Sequence, residues 1–384
     1  MLTNSGGHSP SLSPSPPPEH VLPGDSGSAA RLRRRVPRWS IVLTVVAFVA
    51  ALVLLAGSLL ELPYYTISPG DAFALDSRIE IDGAPTYTPD GDVWMLFVRQ
   101  RARVNVWEWV RAWLDPDVDL FREQEISGGR SPEELDVESE AQMTASKTAA
   151  TRVALEAAGF EVPLGAGVQV LAVIPSRPAA GSLEAGDVLT SVDGQELADA
   201  SDLGEIVRAS PPGTEFAIEF VRGGDSRTAN VTSEAGPDGT PVIGVYVAGA
   251  YDFPVDVEID TATIGGPSAG LAMTLTVLDE LTPGDLTGGR DVAVTGTIEE
   301  DGSVGEIGGI VQKAVAARRA GADLLIVPAC TTEEIRDRCE HDLARARERA
   351  GRDVPVYAVA SLDEALAVLS ASGGDPVRPS PAAR

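Results

Sequence analysis

Ile41 to Leu60 is a run of twenty residues without a charge, diluted only by Thr44, Gly57 and Ser58. As a helix it would rise about 30 Å, the thickness of a bilayer core. Arg31, Arg33, Arg34, Arg35 and Arg38 stand before it, and Tyr64 and Tyr65 follow it. Basic residues on one flank and aromatic residues on the other predict a single-pass anchor, with a cytoplasmic N-terminus and residues 62–384 outside. A cleaved signal peptide would have a shorter apolar core and a small-residue cleavage site. Neither is present around Glu61-Leu62-Pro63. Residues 1–30 are rich in Pro, Ser and Gly with almost no aliphatic content, and the whole stretch 1–38 reads as a disordered cytoplasmic tail.

Beyond the anchor the apolar positions recur at shorter periods. Val93–Val98 reads as a strand after the Asp90-Gly91 turn, and Val104–Leu114 as a short helix. Ser146–Ala158 reads as a helix stopped by Gly159. Val168–Ile174 is a strand, and Ser201–Ala209 a helix. From residue 237 strands and helices alternate. Val242–Val247 and Asp256–Thr263 are strands, Leu271–Leu281 a helix, Val292–Ile298 and Val304–Ile307 strands joined at Asp301-Gly302, and Ile310–Ala317 a helix. A further helix starts near Thr331, and Ser361 with Glu364 forms a capping box for the last one.

Charge adds a topology signal. The 384-residue chain carries −27 overall; residues 1–38 hold five Arg against Glu19 and Asp25, which is +3, so the remainder holds −30. A body that acidic excludes a nucleic-acid binder. The three histidines are His8, His20 and His341, and the two cysteines are Cys330 and Cys339, too few for a zinc site of the usual nitrogen and sulfur kind. No metal and no cofactor is expected.

Two residues carry the candidate chemistry. Only Lys147 and Lys313 among the 30 basic residues are lysines. Lys can lose its proton on burial, whereas Arg cannot. Ile310, Lys313, Ala314 and Ala317 fall on one helix face, so Lys313 lies on an apolar stripe where burial lowers its pKa. Gly266-Pro267-Ser268-Ala269-Gly270 precedes the helix Leu271–Leu281 and predicts Ser268 in its first turn, where helix-start amides meet negative charge. A neutral lysine can take a proton from such a serine. The plainer readings are a lysine that snorkels to solvent and an ordinary helix-start serine.

Two resemblances extend this. Leu164-Gly165-Ala166-Gly167, the strand from Val168, Gly186-Asp187-Val188-Leu189 and Asp193-Gly194 occur in an order that resembles a PDZ domain. Such a fold binds peptides by strand addition, which assigns terminal-carboxylate capture to Leu164, Gly165, Ala166, Gly167 and Val168. Gly265-Gly-Pro-Ser-Ala-Gly270, Thr295-Gly-Thr-Ile298, Gly302-Ser-Val-Gly305 and Ile307-Gly-Gly309 with Lys313 resemble the proteolytic domain of Lon proteases. The resemblance implies a Ser268–Lys313 dyad, with Thr295 holding the lysine amine and Gly266 in a supporting place. It also implies a homo-oligomeric ring. Anchor, PDZ and catalytic domain in series resemble the PDZ-containing Lon-like proteases of bacterial envelopes. This chain departs from the family at Gly265, where an acidic residue is common.

The expected fold is therefore multidomain: a transmembrane helix, a mainly β PDZ domain and an α/β (α+β) proteolytic domain. The expected division is a tail to residue 38, an anchor at 39–61, an N-terminal region at 62–161 that completes the protease domain, a PDZ domain at 162–236, a proteolytic domain at 237–372 and a disordered tail at 373–384. The expected activity is an ATP-independent serine endopeptidase acting on unfolded envelope polypeptides, since no Gly-x-x-x-x-Gly-Lys-Ser/Thr occurs. The alternative is a non-catalytic PDZ adaptor at the membrane. Gly266-x-Ser268-x-Gly270 also fits a nucleophile elbow, but His341 would be its sole histidine, on a charged segment. Cys330 and Cys339 are disulfide candidates on compartment grounds, with two free thiols as the alternative.

Overall fold

The computed structural model describes residues 37–236, 238–261 and 264–383, so most of the N-terminal tail, with His8 and His20, lies outside the described residues. The chain divides into two compact units, 1–55 and 56–384. Helix α1 (Arg38–Leu59) has no buried residue and is long and apolar enough to cross a membrane.

The larger unit is built on two main sheets. It opens with β1 (Tyr64–Ala74), β2 (Ile79–Asp82), β3 (Val93–Ala102), α2 (Val106–Leu114), β4 (Asp119–Arg122), α3 (Glu123–Ser127) and α4 (Pro132–Ala157). There follow β5 (Leu164–Val173), β6 (Val188–Val192), β7 (Gln195–Glu196), α5 (Ala200–Arg208), β8 (Glu215–Arg222), β9 (Asp225–Thr232), β10 (Glu234–Ala235), β11 (Pro241–Val242) and β12 (Val245–Tyr251). The last segment holds β13 (Asp256–Ile259), α6 (Gly270–Leu281), β14 (Val292–Val294), β15 (Thr297–Ile298), β16 (Val304–Gly305), α7 (Ile310–Ala320), β17 (Leu324–Pro328), α8 (Arg336–Ala350), β18 (Val356–Val359) and α9 (Leu362–Ala371).

The first sheet has the order β18-β17-β14-β3-β1-β4. Its inner strands β14 and β17 pair in parallel, as does β3 with β14, while β1 runs antiparallel to β3 and β4. Strand side chains alternate between faces, and the burial follows. Met95, Val292, Val294, Leu324 and Ile326 enter one core with Leu271 and Leu275 of α6 and with α4. Leu96, Ala293, Leu325 and Val327 enter the other core, with Ala314 and Ala317 of α7 and Leu343 of α8. The sheet is thus covered on both faces, and α6 and α7 lie on opposite sides of it. Strands from residues 64–122 and 292–359 form this one sheet.

The second sheet, β12-β5-β6-β8-β9, carries its own core of Val168, Val170, Leu189, Phe216, Ile218 and Leu203. It is inserted between α4 and α6 and rests on α4 through Leu171 and Ala172 against Ala141.

Several elements differ from expectation. The helix expected at Ser146–Ala158 begins at Pro132, because Ser131 and Glu134 cap each other's backbone amides and Pro132 takes the first helical position. The strand expected at Val242–Val247 is broken at Gly244, whose φ of +84° turns the chain, and its second part, β12, pairs with β5 in the smaller sheet. Residues 373–383 are not a loose tail. Gly373 turns the chain back (φ +106°), Asp375 N donates to Asp285 O at 2.8 Å, and Ser380, fully buried, donates from N to Ala158 O at 2.8 Å. Arg384, with residues 237, 262 and 263, is outside the described residues.

Candidate active site

Ser268 and Lys313 approach from opposite faces of the first sheet. Ser268 precedes α6, and Lys313 lies in the first turn of α7. Lys313 Nζ is 2.7 Å from Ser268 Oγ and 2.9 Å from Thr295 Oγ1. Thr295 follows β14 directly, at the point where the sheet opens between the two helices. Its hydroxyl donates to the Ser268 carbonyl oxygen at 3.0 Å. A hydroxyl has one hydrogen, so toward Lys313 the Thr295 oxygen can only accept. The amine therefore gives one N–H to Thr295, which fixes its rotation and leaves its remaining valences for Ser268.

Lys313 is 2% exposed. Burial disfavours the ammonium and lowers its pKa from 10.5 to about 7. No carboxylate contributes to the shift, so the amine is set by desolvation alone. The two neighbours within hydrogen-bond distance are neutral hydroxyls.

Ser268 is not in the first turn of α6, as its sequence position suggested. The helix begins at Gly270 with Ala269 as its cap. The Ser268 carbonyl is drawn instead to the end of β14, accepting from Gly296 N at 3.0 Å as well as from Thr295. Helix α4 holds the loop from the other side. Gly266 N donates to Ser139 O at 3.0 Å, and Ser146 Oγ donates to Pro267 O at 3.1 Å. Gly266 has φ +88°, a conformation in which L side chains are strained. Gly270 has no room for a side chain, since a Cβ there would lie 2.8 Å from Ile298 N. Among the described residues the main-chain N–H groups of Ser268 and Ala269 have no hydrogen-bond partner.

The pair opens into a cleft of about 550 Å³. One wall is β3 from Met95 to Val98 and the other is the loop Gly265–Ala269. β14 pairs with β3 only over Val93–Met95, so beyond Met95 this edge of β3 has no partner strand among the described residues. Helix α4 lines the cleft through Ser139, Gln142 and Met143. The contributions of Ser139, Ser146 and the β3 edge had no motif to announce them. His341 is exposed on α8 and is not among the residues lining the cleft.

The geometry and the motifs can now be set beside known proteins. A family model of the Lon protease C-terminal proteolytic domain matches residues 252–366, and a PDZ domain model matches residues 141–232. The chain carries a Lon proteolytic domain and a PDZ domain. The Lon protease of Geobacter metallireducens is 33% identical over 118 residues, 31% of this chain and 13% of that protein. The Lon protease of Clostridioides difficile is 35% identical over 101 residues, 26% of this chain and 12% of that protein. The chain thus spans about an eighth of the length of these curated relatives. Among solved structures, the PDZ domain of an SdrC-like protein from Listeria monocytogenes is 27% identical, with 22% of this chain and 90% of that chain covered and a TM-score of 0.21.

In the PDZ domain the residues expected to bind peptide fall on an inner strand. Leu164, Gly165, Ala166, Gly167 and Val168 begin β5, an inner strand. Val168 is paired with Gly249 of β12 on one side and Leu189 of β6 on the other. β12 is one edge of this sheet and β9 the other. A groove of about 440 Å³ runs between β12 and α5, lined by Leu203, Gly204 and Val207 on the helix and by Val242–Val247 on the other wall. The sequence signal was the turn Ile243-Gly244-Val245, which precedes the edge strand and lies after the β8–β9 hairpin rather than before β5. Cys330 and Cys339 are joined by a disulfide, and among the described residues no cluster of side chains could hold a metal ion.

Proposed function

We propose that this chain is a membrane-anchored, ATP-independent serine endopeptidase in which Ser268 is the nucleophile and Lys313 its general base. The observation that carries the reading is a fully buried lysine amine, 2.7 Å from Ser268 Oγ and without a carboxylate to keep it charged. At neutral pH about half of such a lysine is neutral, the form that accepts a proton. Lys313 Nζ takes the Ser268 hydroxyl proton as Oγ attacks the peptide carbonyl. The developing oxyanion faces the N–H groups of Ser268 and Ala269. The lysine ammonium then protonates the departing amine, leaving an ester on Ser268. Water, deprotonated by the same amine, hydrolyses that ester.

The substrate lies extended along the unpaired edge of β3. That favours unfolded or flexible chains, because a peptide must be free to add as a strand. The groove between α5 and β12 binds a substrate or partner peptide and raises its local concentration at the cleft. With no phosphate-cradling motif in the sequence, hydrolysis needs no ATP. Helix α1 anchors the chain with its N-terminus in the cytoplasm and both domains outside, where the Cys330–Cys339 disulfide is stable.

The test is cleavage of casein by residues 62–384 without ATP, for wild type, Ser268→Ala and Lys313→Ala. Activity lost in both variants supports the dyad. Activity kept in either one overturns it. An inactive wild type that still captures peptides through the PDZ groove turns the assignment to an adaptor.

A further inference from the structure

Helix α2 carries three of the chain's five tryptophans in the nine residues Val-Trp-Glu-Trp-Val-Arg-Ala-Trp-Leu. It is well made: the Asn105 side chain accepts from the amides of Trp107 and Glu108, and Glu108 returns a bond to Asn105 N. Its inner side is accounted for. Ala112 is buried, and Trp109 meets Tyr64 edge to face at 6.2 Å. The outer side is not. Trp113 is 68% exposed and Leu114 67%. In water such a contiguous apolar surface is unfavourable and marks a contact with something else.

Chain connectivity says where this surface is. Helix α1 ends at Leu59. Glu61 bridges to Asn105, and Leu62 N donates to Val104 O at 2.9 Å. The cap of α2 is therefore one strand spacing, about 5 Å, from a residue two places past the end of the apolar helix. A nine-residue helix is about 13 Å long, so the patch cannot leave the neighbourhood of that end. Arg111 lies beside the patch, while Arg99, Arg101 and Arg103 pair with Asp71, Glu108 and Glu123. Trp and Leu on one side with Arg beside them is the composition of a helix that lies in a lipid headgroup region.

We propose that α2 is a second, interfacial contact with the bilayer that α1 enters, with Trp113 and Leu114 in the headgroup region and Arg111 beside them. The proposal rests on the anchoring reading above.

The two cysteines are bonded to each other, so a thiol dye can be directed to one introduced cysteine. The full chain carrying Trp113→Cys or Leu114→Cys, labelled with an environment-sensitive dye, is reconstituted in phosphatidylcholine vesicles containing phosphatidylglycerol. A doxyl lipid quenches groups near the headgroups. Ser226→Cys, exposed on the β8–β9 hairpin, is the reference. The expected result is at least about a twofold loss of emission at 113 and 114, with no loss at 226. A chain that floats with the vesicles but is quenched no more at 113 than at 226 overturns the proposal and leaves the anchor standing. A chain that does not float overturns the anchor, and the proposal with it. Labels at 113 that are shielded in lipid-free detergent and crosslink between copies assign the patch to a second copy of this chain, which also overturns it.

Discussion

On the proposed mechanism, Lys313 ties catalysis and stability to one proton. Its pKa is lowered from 10.5 to about 7 by burial, while in the unfolded chain it returns to the ordinary lysine value. Between those values the unfolded state holds one more proton than the native state, so native stability rises with pH through that window. Below about pH 7 both states are protonated and the cost of burying the ammonium is present in full, roughly 5 kcal/mol. The slope is about 1.4 kcal/mol per pH unit, or roughly 3 kcal/mol between about pH 7.5 and 9.5. Lys313→Met keeps most of the bulk and removes the titration. Its loss of contacts to Ser268 and Thr295 is independent of pH over this range and shifts the curve without tilting it. Urea unfolding of residues 62–384 across the window should show wild type gaining on Lys313→Met by roughly that amount. Truncation at residue 62 removes no member of any core. In parallel, kcat/KM of the wild type should rise through about pH 7 as the amine becomes neutral. A constant stability difference between the two proteins, or an activity limb near pH 10, would show that Lys313 titrates as an ordinary surface lysine and would refute the general-base assignment.

Three more outcomes follow from individual contacts. Thr295→Val removes the acceptor that orients the Lys313 amine and the donor to the Ser268 carbonyl; an unsatisfied buried group costs about 1–3 kcal/mol, so kcat should fall about 10- to 100-fold with KM little changed in steady-state assays. Gly204→Leu fills the groove between α5 and β12 and should abolish peptide capture by the PDZ domain in a pull-down, while cleavage of casein by the same protein is kept. Replacing Cys330 and Cys339, nine residues apart, by serine should lower unfolding stability by about 2–3 kcal/mol in urea titrations under oxidising conditions, and wild type in reductant should match the variant.

The legible parts of this chain were those whose signal is local. The apolar helix, the strands of the two-sided sheet and the helix that carries Lys313 all announce themselves by period, and α7 falls within three residues of its expected end. Ser268 and Lys313 stand out in the sequence because a rare lysine on an apolar helix face and a glycine-flanked serine are local features, and the structure brings the two together. Two kinds of signal were not local. The start of α6 was right to one residue, but Ser268 was placed in its first turn, whereas its carbonyl bonds to Gly296 and Thr295, some thirty residues away. That Leu164–Val168 would lie on an inner strand was not legible, because β12 arrives from the far side of the β8–β9 hairpin and covers β5, and sequence order alone does not say which strand is last in a sheet.

Helix α4 combines both limits. Its second half was readable, because Ala150, Val153, Ala154 and Leu155 bury a helical face. Its first half is polar and was assigned no element, although Ser131-Pro132-Glu133-Glu134 is a helix start. That polar half does the positioning. Glu134 pairs with Arg177 of the PDZ domain at 2.7 Å, and Ala141 packs on Leu171 and Ala172. One turn away, the carbonyl of Ser139 holds Gly266, and further on Ser146 holds Pro267. A single helix thus contacts the PDZ sheet on one side and the loop that carries Ser268 on the other. Its residues are polar there because they bond to backbone and to arginine rather than fill a core. A reading that ranks segments by apolar period passes over such residues, and here they are the ones that set the place of Ser268.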